Sequence, residues 1–309
     1  MVLAAPGVQE LTFIFFIIFW AGKWDIWRKL TIFAPMKHLN ALQQVYSPGE
    51  ARALLRLVME MRFGLSHTDL LLGKDKELSA EHQAELEIII ERLLRKEPVQ
   101  YVLGVAEFCG HRFHVEPGVL IPRPETEEMV RSLIARPDRK GRLLDIGTGS
   151  GCIAVSLALA GYRVTAFDIS PLALRIAQGN AEKLGAEVEF VCEDILHPVQ
   201  DSGCFDVIVS NPPYVLQSEA EEMEENVLRY EPHLALFVPD EDPLLFYRAI
   251  ADYALSHLNA GGQLALECNR AYAKDVANLL KEKRFTEVVV HQDQFGNERF
   301  VTALSNYEL

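Results

Sequence analysis

The chain is poor in the features that would tie it to disulfides, metals, membranes or nucleic acid. Its five cysteines (Cys109, Cys152, Cys192, Cys204 and Cys268) form no C-x-x-C pair and have no histidine at ligand spacing. That excludes a disulfide framework or a zinc site and reads as free thiols in a reducing compartment. Basic residues are short as well: 30 Lys and Arg stand against 44 Asp and Glu, a net charge of −14. Such a surface disfavours non-specific adhesion to nucleic acid or anionic membranes and favours a protein or small-molecule partner. No Gly-Lys-Ser/Thr loop, internal repeat or low-complexity tract occurs, so neither a phosphate-binding P-loop nor a repeat architecture is expected. The apolar run from Leu11 to Ala21 is about half the ~20 residues that cross a bilayer. With no Lys or Arg before it and no small-residue cleavage site after it, it also makes a poor secretory signal.

What is present is ordinary for a globular protein, with 49% hydrophobic and 24% charged residues in 309. That length allows two domains, one of them with a sizeable core. The first 35 residues differ from the rest and hold all three tryptophans, Trp20, Trp24 and Trp27. They read as an interfacial anchor, as a helix packed on the body, or as upstream sequence translated from a start assigned too early. The last is favoured, because ordinary amphipathic helix begins at Met36-Lys37.

From Met36 to about Pro98 the pattern is helical. Ser47-Pro48-Gly49-Glu50 supplies an N-cap serine, a proline at the first helical position and a glutamate three residues after the cap. Ala51, Leu54, Leu55, Val58 and Met61 then form one stripe, and Leu86, Ile89, Ile90, Leu93 and Leu94 another on a helix from Ala80 to Arg95. The expected domains are an atypical extension over 1–35, a helical module over 36–105, a hairpin and linker over 106–124, and an α/β domain over 125–309. The helical module suits partner recognition, and equally a stabilising cap. Glu107 to Val115 alternates around Gly110 as a hairpin. After Gly141 strands and helices alternate, which specifies an α/β fold: a doubly wound, mostly parallel sheet with helices on both faces, closed by an antiparallel pair.

Ligands of such sheets bind beyond the carboxyl ends of the strands. The first strand of the alternating region ends in Asp145-Ile146-Gly147-Thr148-Gly149-Ser150-Gly151. Cys152 breaks a dinucleotide fingerprint, and Thr148 breaks a nucleophile elbow around Ser150. Asp168 follows Gly147 by 21 residues, the spacing at which an acid meets ribose hydroxyls, although an acid opening the next helix is an equal reading. Glu193-Asp194 ends the third strand, where an adenine would lie. The fourth, Phe205 to Ser210, runs into Asn211-Pro212-Pro213-Tyr214. There a carboxamide, carbonyls on a proline-rigidified backbone and an aromatic face suit a planar N–H-bearing group, unless the four are a plain proline-rich turn.

Taken together these residues resemble class I S-adenosylmethionine-dependent methyltransferases acting on planar nitrogens. More narrowly, Ile121 to Glu127, Asp145 to Ser156, Ser210 to Tyr214, Tyr230-Glu231-Pro232 and Asp293 to Arg299 resemble the release factor glutamine methyltransferases, over roughly residues 37 to 309. The resemblance implies a seven-stranded methyltransferase sheet with a small N-terminal helical domain. It implies methyl transfer from S-adenosylmethionine to the glutamine amide of a Gly-Gly-Gln motif in peptide chain release factors. Asp145, Gly147, Thr148, Gly149, Ser150, Gly151, Asp168, Ile169, Asp194, Ile195 and Asn211 would then bind the cofactor. Asn211, Pro212 and Tyr214 would align the amide, and Pro213, Phe108, Arg123 and Glu125 would complete the substrate site. Some relatives carry an aromatic after Asp194 where this chain has Ile195, so an aliphatic adenine pocket is expected. A cytoplasmic monomer without nucleic-acid or membrane binding is expected. The competing readings are a methyltransferase for exocyclic amines of nucleic acids, which would want a basic groove, and a scaffold that binds the cofactor without catalysis.

Overall fold

The computed structural model of the protein describes residues 36–136, 141–199, 203–293 and 296–306. The readings of the first 35 residues lie outside these. The chain divides after Val99 into two compact units.

The described part of the first unit is helical: α1 (Met36–Leu42), α2 (Pro48–Phe63), α3 (His67–Leu71) and α4 (Ala80–Leu94), with a 3-10 turn over Lys74–Glu77. The starts of α2, α3 and α4 are each fixed by a serine. Ser47 accepts from Glu50 N at 3.3 Å, Ser66 and Asp69 form a reciprocal capping box, and Ser79 accepts from His82 N. The α2 stripe turns slightly from the expected one. Ala51, Leu55, Val58 and Met59 are buried, whereas Leu54 and Met61 are only half-buried. On α4, Leu86, Ile89, Ile90 and Leu93 are buried as the spacing predicts, with Leu94 at the margin. Tyr46 on the α1–α2 connection donates to the Leu93 carbonyl at 2.7 Å, closing the end of α4. Among the described residues no helix is long and apolar enough to cross a membrane.

The division falls within the first turn of α5 (Val99–Leu103), and the larger unit continues with the hairpin β1 (Val105–Phe108) and β2 (His111–His114). Its two-residue turn holds Cys109 at φ 48° and Gly110 at φ 79°, positive at both centres as a tight hairpin requires. The Cys109 N–H donates to Glu127 on α6 (Pro124–Ile134), docking the hairpin on that helix.

Seven strands then form one sheet: β3 (Arg142–Ile146), β4 (Arg163–Asp168), β5 (Val188–Cys192), β6 (Phe205–Ser210), β9 (Leu258–Glu267), β10 (Thr286–Gln292) and β11 (Glu298–Leu304). Their spatial order is β10-β11-β9-β6-β3-β4-β5. The closing antiparallel pair is present, but β11 inserts between β9 and β10 and is antiparallel to both, so the edge strand β10 points with the majority. A two-stranded parallel pair, β7 (Val215–Leu216) with β8 (Phe237–Val238), and the short helices α9 (Glu225–Tyr230) and α10 (His233–Leu236) lie in the segment after Tyr214.

Strand alternation sorts the core into two halves. Leu144, Ile146, Ile208 and Leu264 pack with α11 (Leu245–His257) and α12 (Ala273–Glu282). Their neighbours Leu143, Val207, Val209 and Ala265 pack on the opposite face with α6 and α7 (Cys152–Leu159). Helix α7 is apolar on all sides and Cys152 to Leu157 are all buried, as a helix between sheet and outer helices must be.

Candidate active site

Register places the site. Ile146 pairs with Phe167 on β4 and with Ser210 on β6, Asp168 pairs with Cys192 on β5, and Ser210 pairs with Leu266 on β9. The next residues along β4, β3, β6 and β9 therefore form one row at the carboxyl edge, Asp168, Gly147, Asn211 and Glu267, with Cys192 opposite Asp168 and Glu193 one residue further on. Strand order reverses between β3 and β6, so the glycine loop and the Asn211 turn flank the crevice that an open α/β sheet leaves at its switch point. A cavity of about 410 Å³ lies there.

Its floor is the glycine loop. Gly147, Thr148, Gly149 and Ser150 line it, and Gly147 N and Thr148 N both donate to the Phe167 carbonyl at 2.9 Å. Gly147, Gly149 and Gly151 have φ of 76°, 55° and 80°, values that glycine adopts without strain. Gly151 lies off the cavity, where a Cβ would come within 2.9 Å of Ala177 Cβ on α8 (Pro171–Leu184); it lets the two helices approach. A Cβ on Gly149 would meet no protein atom within 4 Å, so the loop's open side is left to a ligand.

Asp145 does not face the cavity. It is fully buried beneath the loop, where Oδ2 accepts from Thr148 Oγ1 at 2.7 Å and from Ala154 N at 3.2 Å. Oδ1 has no partner among the described residues. Burial pushes this carboxyl up to about 7 from 3.8, the two donors offsetting only part of the cost. Such a shift carries a sign. A carboxyl that binds its proton more tightly folded than unfolded adds most stability below its unfolded value and loses that contribution as pH climbs from about 4 to about 7. Thermal denaturation of Asp145→Asn is expected to lose less stability across that window than the parent does, and an identical pH slope would refute the assignment.

Asp168 lines the cavity with each oxygen already engaged once: Oδ2 by Gly149 N at 2.8 Å and Oδ1 by Ser170 N at 2.9 Å. Each keeps one lone pair for a hydroxyl. Ile169, Asp194 and Ile195 also line it, as does Glu193, whose Oε1 accepts from Val199 N at 2.9 Å. Ile169 and Ile195 stand at this end, and Phe167 and Phe246 also line the cavity.

At the other end stand Asn211, Pro212 and Pro213. Behind Asn211 runs a chain of hydrogen bonds. Asn211 Nδ2 donates to Thr126 Oγ1 at 3.1 Å, and Thr126 Oγ1 donates to Glu267 Oε2 at 2.6 Å. Tyr214 OH donates to the other oxygen, Oε1, at 3.1 Å. Glu267 is buried, and that burial raises its carboxyl to about 7. With Nδ2 held, the Asn211 Oδ1 is the carboxamide atom left to accept. Tyr214 packs against the core beside this cluster and does not border the cavity.

Three further expectations take a different form. Phe108 is not a cavity wall: strand alternation sends its side chain with Ala106 into the core, edge-on to Phe113 at 6.2 Å. Glu125 lies off the cavity with Arg299 at 3.9 Å. Arg123 does line it, but its partner is Glu231, whose Oε1 accepts from Arg123 Nη2 at 2.6 Å and whose Oε2 accepts from Ile121 N at 3.0 Å. Sequence reasoning missed Thr126, Glu231 and Glu267 as site residues. Glu267 could have been found by the rule that singled out Asp168 and Asp194, an acid at a strand's carboxyl end.

Comparisons with known proteins cover both units. The family described as "PrmC N-terminal domain" matches residues 39–104, and that described as "Methyltransferase small domain" matches 124–230. A release factor glutamine methyltransferase of Bacteroides thetaiotaomicron is 50% identical over 267 residues, 85% of this chain and 96% of that protein. One from Flavobacterium psychrophilum is 40% identical, covering 85% and 95% of the two chains. A solved methyltransferase from Pyrococcus furiosus matches 74% of this chain and 100% of its own at 19% identity, with a TM-score of 0.49.

Proposed function

The chain belongs to the release factor glutamine methyltransferases, and from that premise we infer that it methylates the side-chain amide nitrogen of the glutamine in the Gly-Gly-Gln motif of peptide chain release factors. S-adenosylmethionine is the methyl donor. The residues present fit it. The open side of Gly149 and the backbone of the loop accommodate a close-lying chain, and the remaining lone pairs of Asp168 suit ribose hydroxyls. Ile169 and Ile195 offer apolar cover to an adenine, with Asp194 beside them. When bound, the donor supplies a methyl group made electrophilic by its sulfonium.

What remains for the protein is alignment and exclusion of water. An amide nitrogen is a weak nucleophile because its lone pair is shared with the carbonyl, so the direction of approach matters most. Asn211 Oδ1 and the Pro212 carbonyl accept the two N–H bonds of the glutamine amide. Proline at 212 and 213 fixes the backbone that carries the second acceptor. Tyr214, anchored through its hydroxyl to Glu267, holds the end of the turn from behind. No protein base is required: the nitrogen sheds its proton to water after the methyl arrives, and Glu267 does not line the cavity.

The observation that carries this reading is the row of strand ends that sets an acceptor-only carboxamide face beside the glycine loop. We further propose that the helical module over 36–105 grips the release factor, with 106–124 as hairpin and linker and 125–309 as the catalytic domain. The protein then serves translation termination in the cytoplasm as a monomer, apart from membranes, and the −14 charge supports a protein substrate over a nucleic acid. The test incubates it with labelled S-adenosylmethionine and either a release factor or nucleic acid. Label is expected on the release-factor glutamine, and label on nucleic acid alone would overturn the reading.

A further inference from the structure

We propose that Glu267 and Thr126 are positioning residues that set which end of the Asn211 carboxamide faces the substrate, acting through the polarity of their hydrogen bonds. An ionised carboxylate can only accept. Thr126 Oγ1, 2.6 Å from Glu267 Oε2, must therefore spend its single proton on that carboxylate. Its oxygen is left as an acceptor for Asn211, 3.1 Å away, and only Nδ2 can donate to it. The carboxamide is thereby turned with Oδ1 outward, the orientation that receives a substrate N–H.

Reversal of the chain is equally defined. If Oε2 of Glu267 carried a proton, it would donate to Thr126, Thr126 would donate to Asn211, and the carboxamide would turn to put Nδ2 outward. A donor facing an amide N–H repels it. Burial raises the Glu267 carboxyl to about 7, so the reversal falls within reach of ordinary pH. The groups facing it are Thr126 and Glu125 on α6, Arg299 on β11, Tyr214 after β6, Tyr247 on α11, and Cys268 beside it. Glu125 raises and Arg299 lowers the carboxyl, and neither they nor Cys268 hydrogen-bonds either oxygen. The inference rests on the methyl-acceptor role of Asn211 proposed above. It predicts that kcat/KM for the release factor rises with pH through about 7 and that Glu267→Gln loses that step.

A polarity swap tests it. In Glu267→Gln, Oε1 can still accept from Tyr214 while Nε2 donates to Thr126, whose proton must then point at residue 211. Asparagine there is misoriented and aspartate is correctly served. Asn211→Asp alone sets two carboxylates against one hydroxyl. Each single variant is expected to lose at least about tenfold in kcat/KM, and the double variant to regain at least about tenfold over Asn211→Asp. Thr126→Ser, which keeps the hydroxyl, should exceed Thr126→Val by a similar factor, and this pair serves if Glu267→Gln fails to fold. Independently of activity, the Asn211 carboxamide NH₂ resonances of the protein without donor should move on titration through the same range, and stay fixed in Glu267→Gln. Multiplicative losses in the double variant, or carboxamide signals indifferent to pH and to Glu267→Gln, would overturn the proposal. A parent enzyme that labels no release factor would sink the functional reading instead, while the resonances still decide the relay.

Discussion

Asn211→Ala is expected to lower kcat/KM for the release factor by about 10²–10³, with affinity for S-adenosylmethionine falling by no more than about tenfold. The asymmetry follows from what the side chain touches. Nδ2 is spent on Thr126, so deletion leaves Thr126 without a donor but opens no ion pair. Oδ1 is the acceptor for one of the two amide protons, and the Pro212 carbonyl alone lets the nitrogen swing about the remaining bond. Loss of one preorganised hydrogen bond in a water-excluded site costs about 10²–10³ in rate, roughly 3–4 kcal/mol. The loop that meets the donor is held by its own contacts, Gly147 N and Thr148 N to Phe167 and Gly149 N to Asp168, none of which passes through Asn211. Single-turnover rates with saturating donor, beside a calorimetric titration of the donor, separate the two effects. Near-normal turnover with undiminished affinity for the release factor would remove Asn211 from its assigned role.

Much of this arrangement is legible in the chain because strand ends announce themselves. An unbroken Val207-Ile208-Val209 stopped by Asn211-Pro212 has few alternatives to a buried strand meeting a turn, and the Gly147–Gly151 loop is similarly constrained. Which strands lie side by side is less visible. Hydrophobic pattern makes β9, β10 and β11 strands without saying that β11 lies between the others, because the order depends on packing of α12 and on a register known only from pairing. Phe108 illustrates the same limit at one residue. Sequence places it in the hairpin, but only the alternation set by the Cys109-Gly110 turn sends it inward to Phe113. Thr126 and Glu267 are 141 residues apart, so no local spacing could reveal that one orients the other.

Glu231→Ala is the second change expected to have a large effect, this time on stability. Its carboxylate is 1% exposed and serves two groups from the segment before α6, the Ile121 N–H and the Arg123 guanidinium. Truncation orphans both. Breaking a buried pair by removing one partner costs about 3–5 kcal/mol, and because the Arg123 side chain keeps 32% of its exposure, solvent recovers part, leaving about 2–4 kcal/mol. At roughly 2–4 °C per kcal/mol for a unit of this size, the melting temperature should fall by about 4–16 °C. Glu231→Gln, which can still accept from Ile121, should fall by clearly less. The consequence reaches the cavity, because Arg123 on one wall and Pro232 on the other are joined only a residue away by this pair. Donor affinity should therefore weaken in Glu231→Ala even at temperatures where the fold is intact. A melting temperature within a degree of the parent would show that the ion pair is dispensable and that packing of the two segments holds the walls together without it.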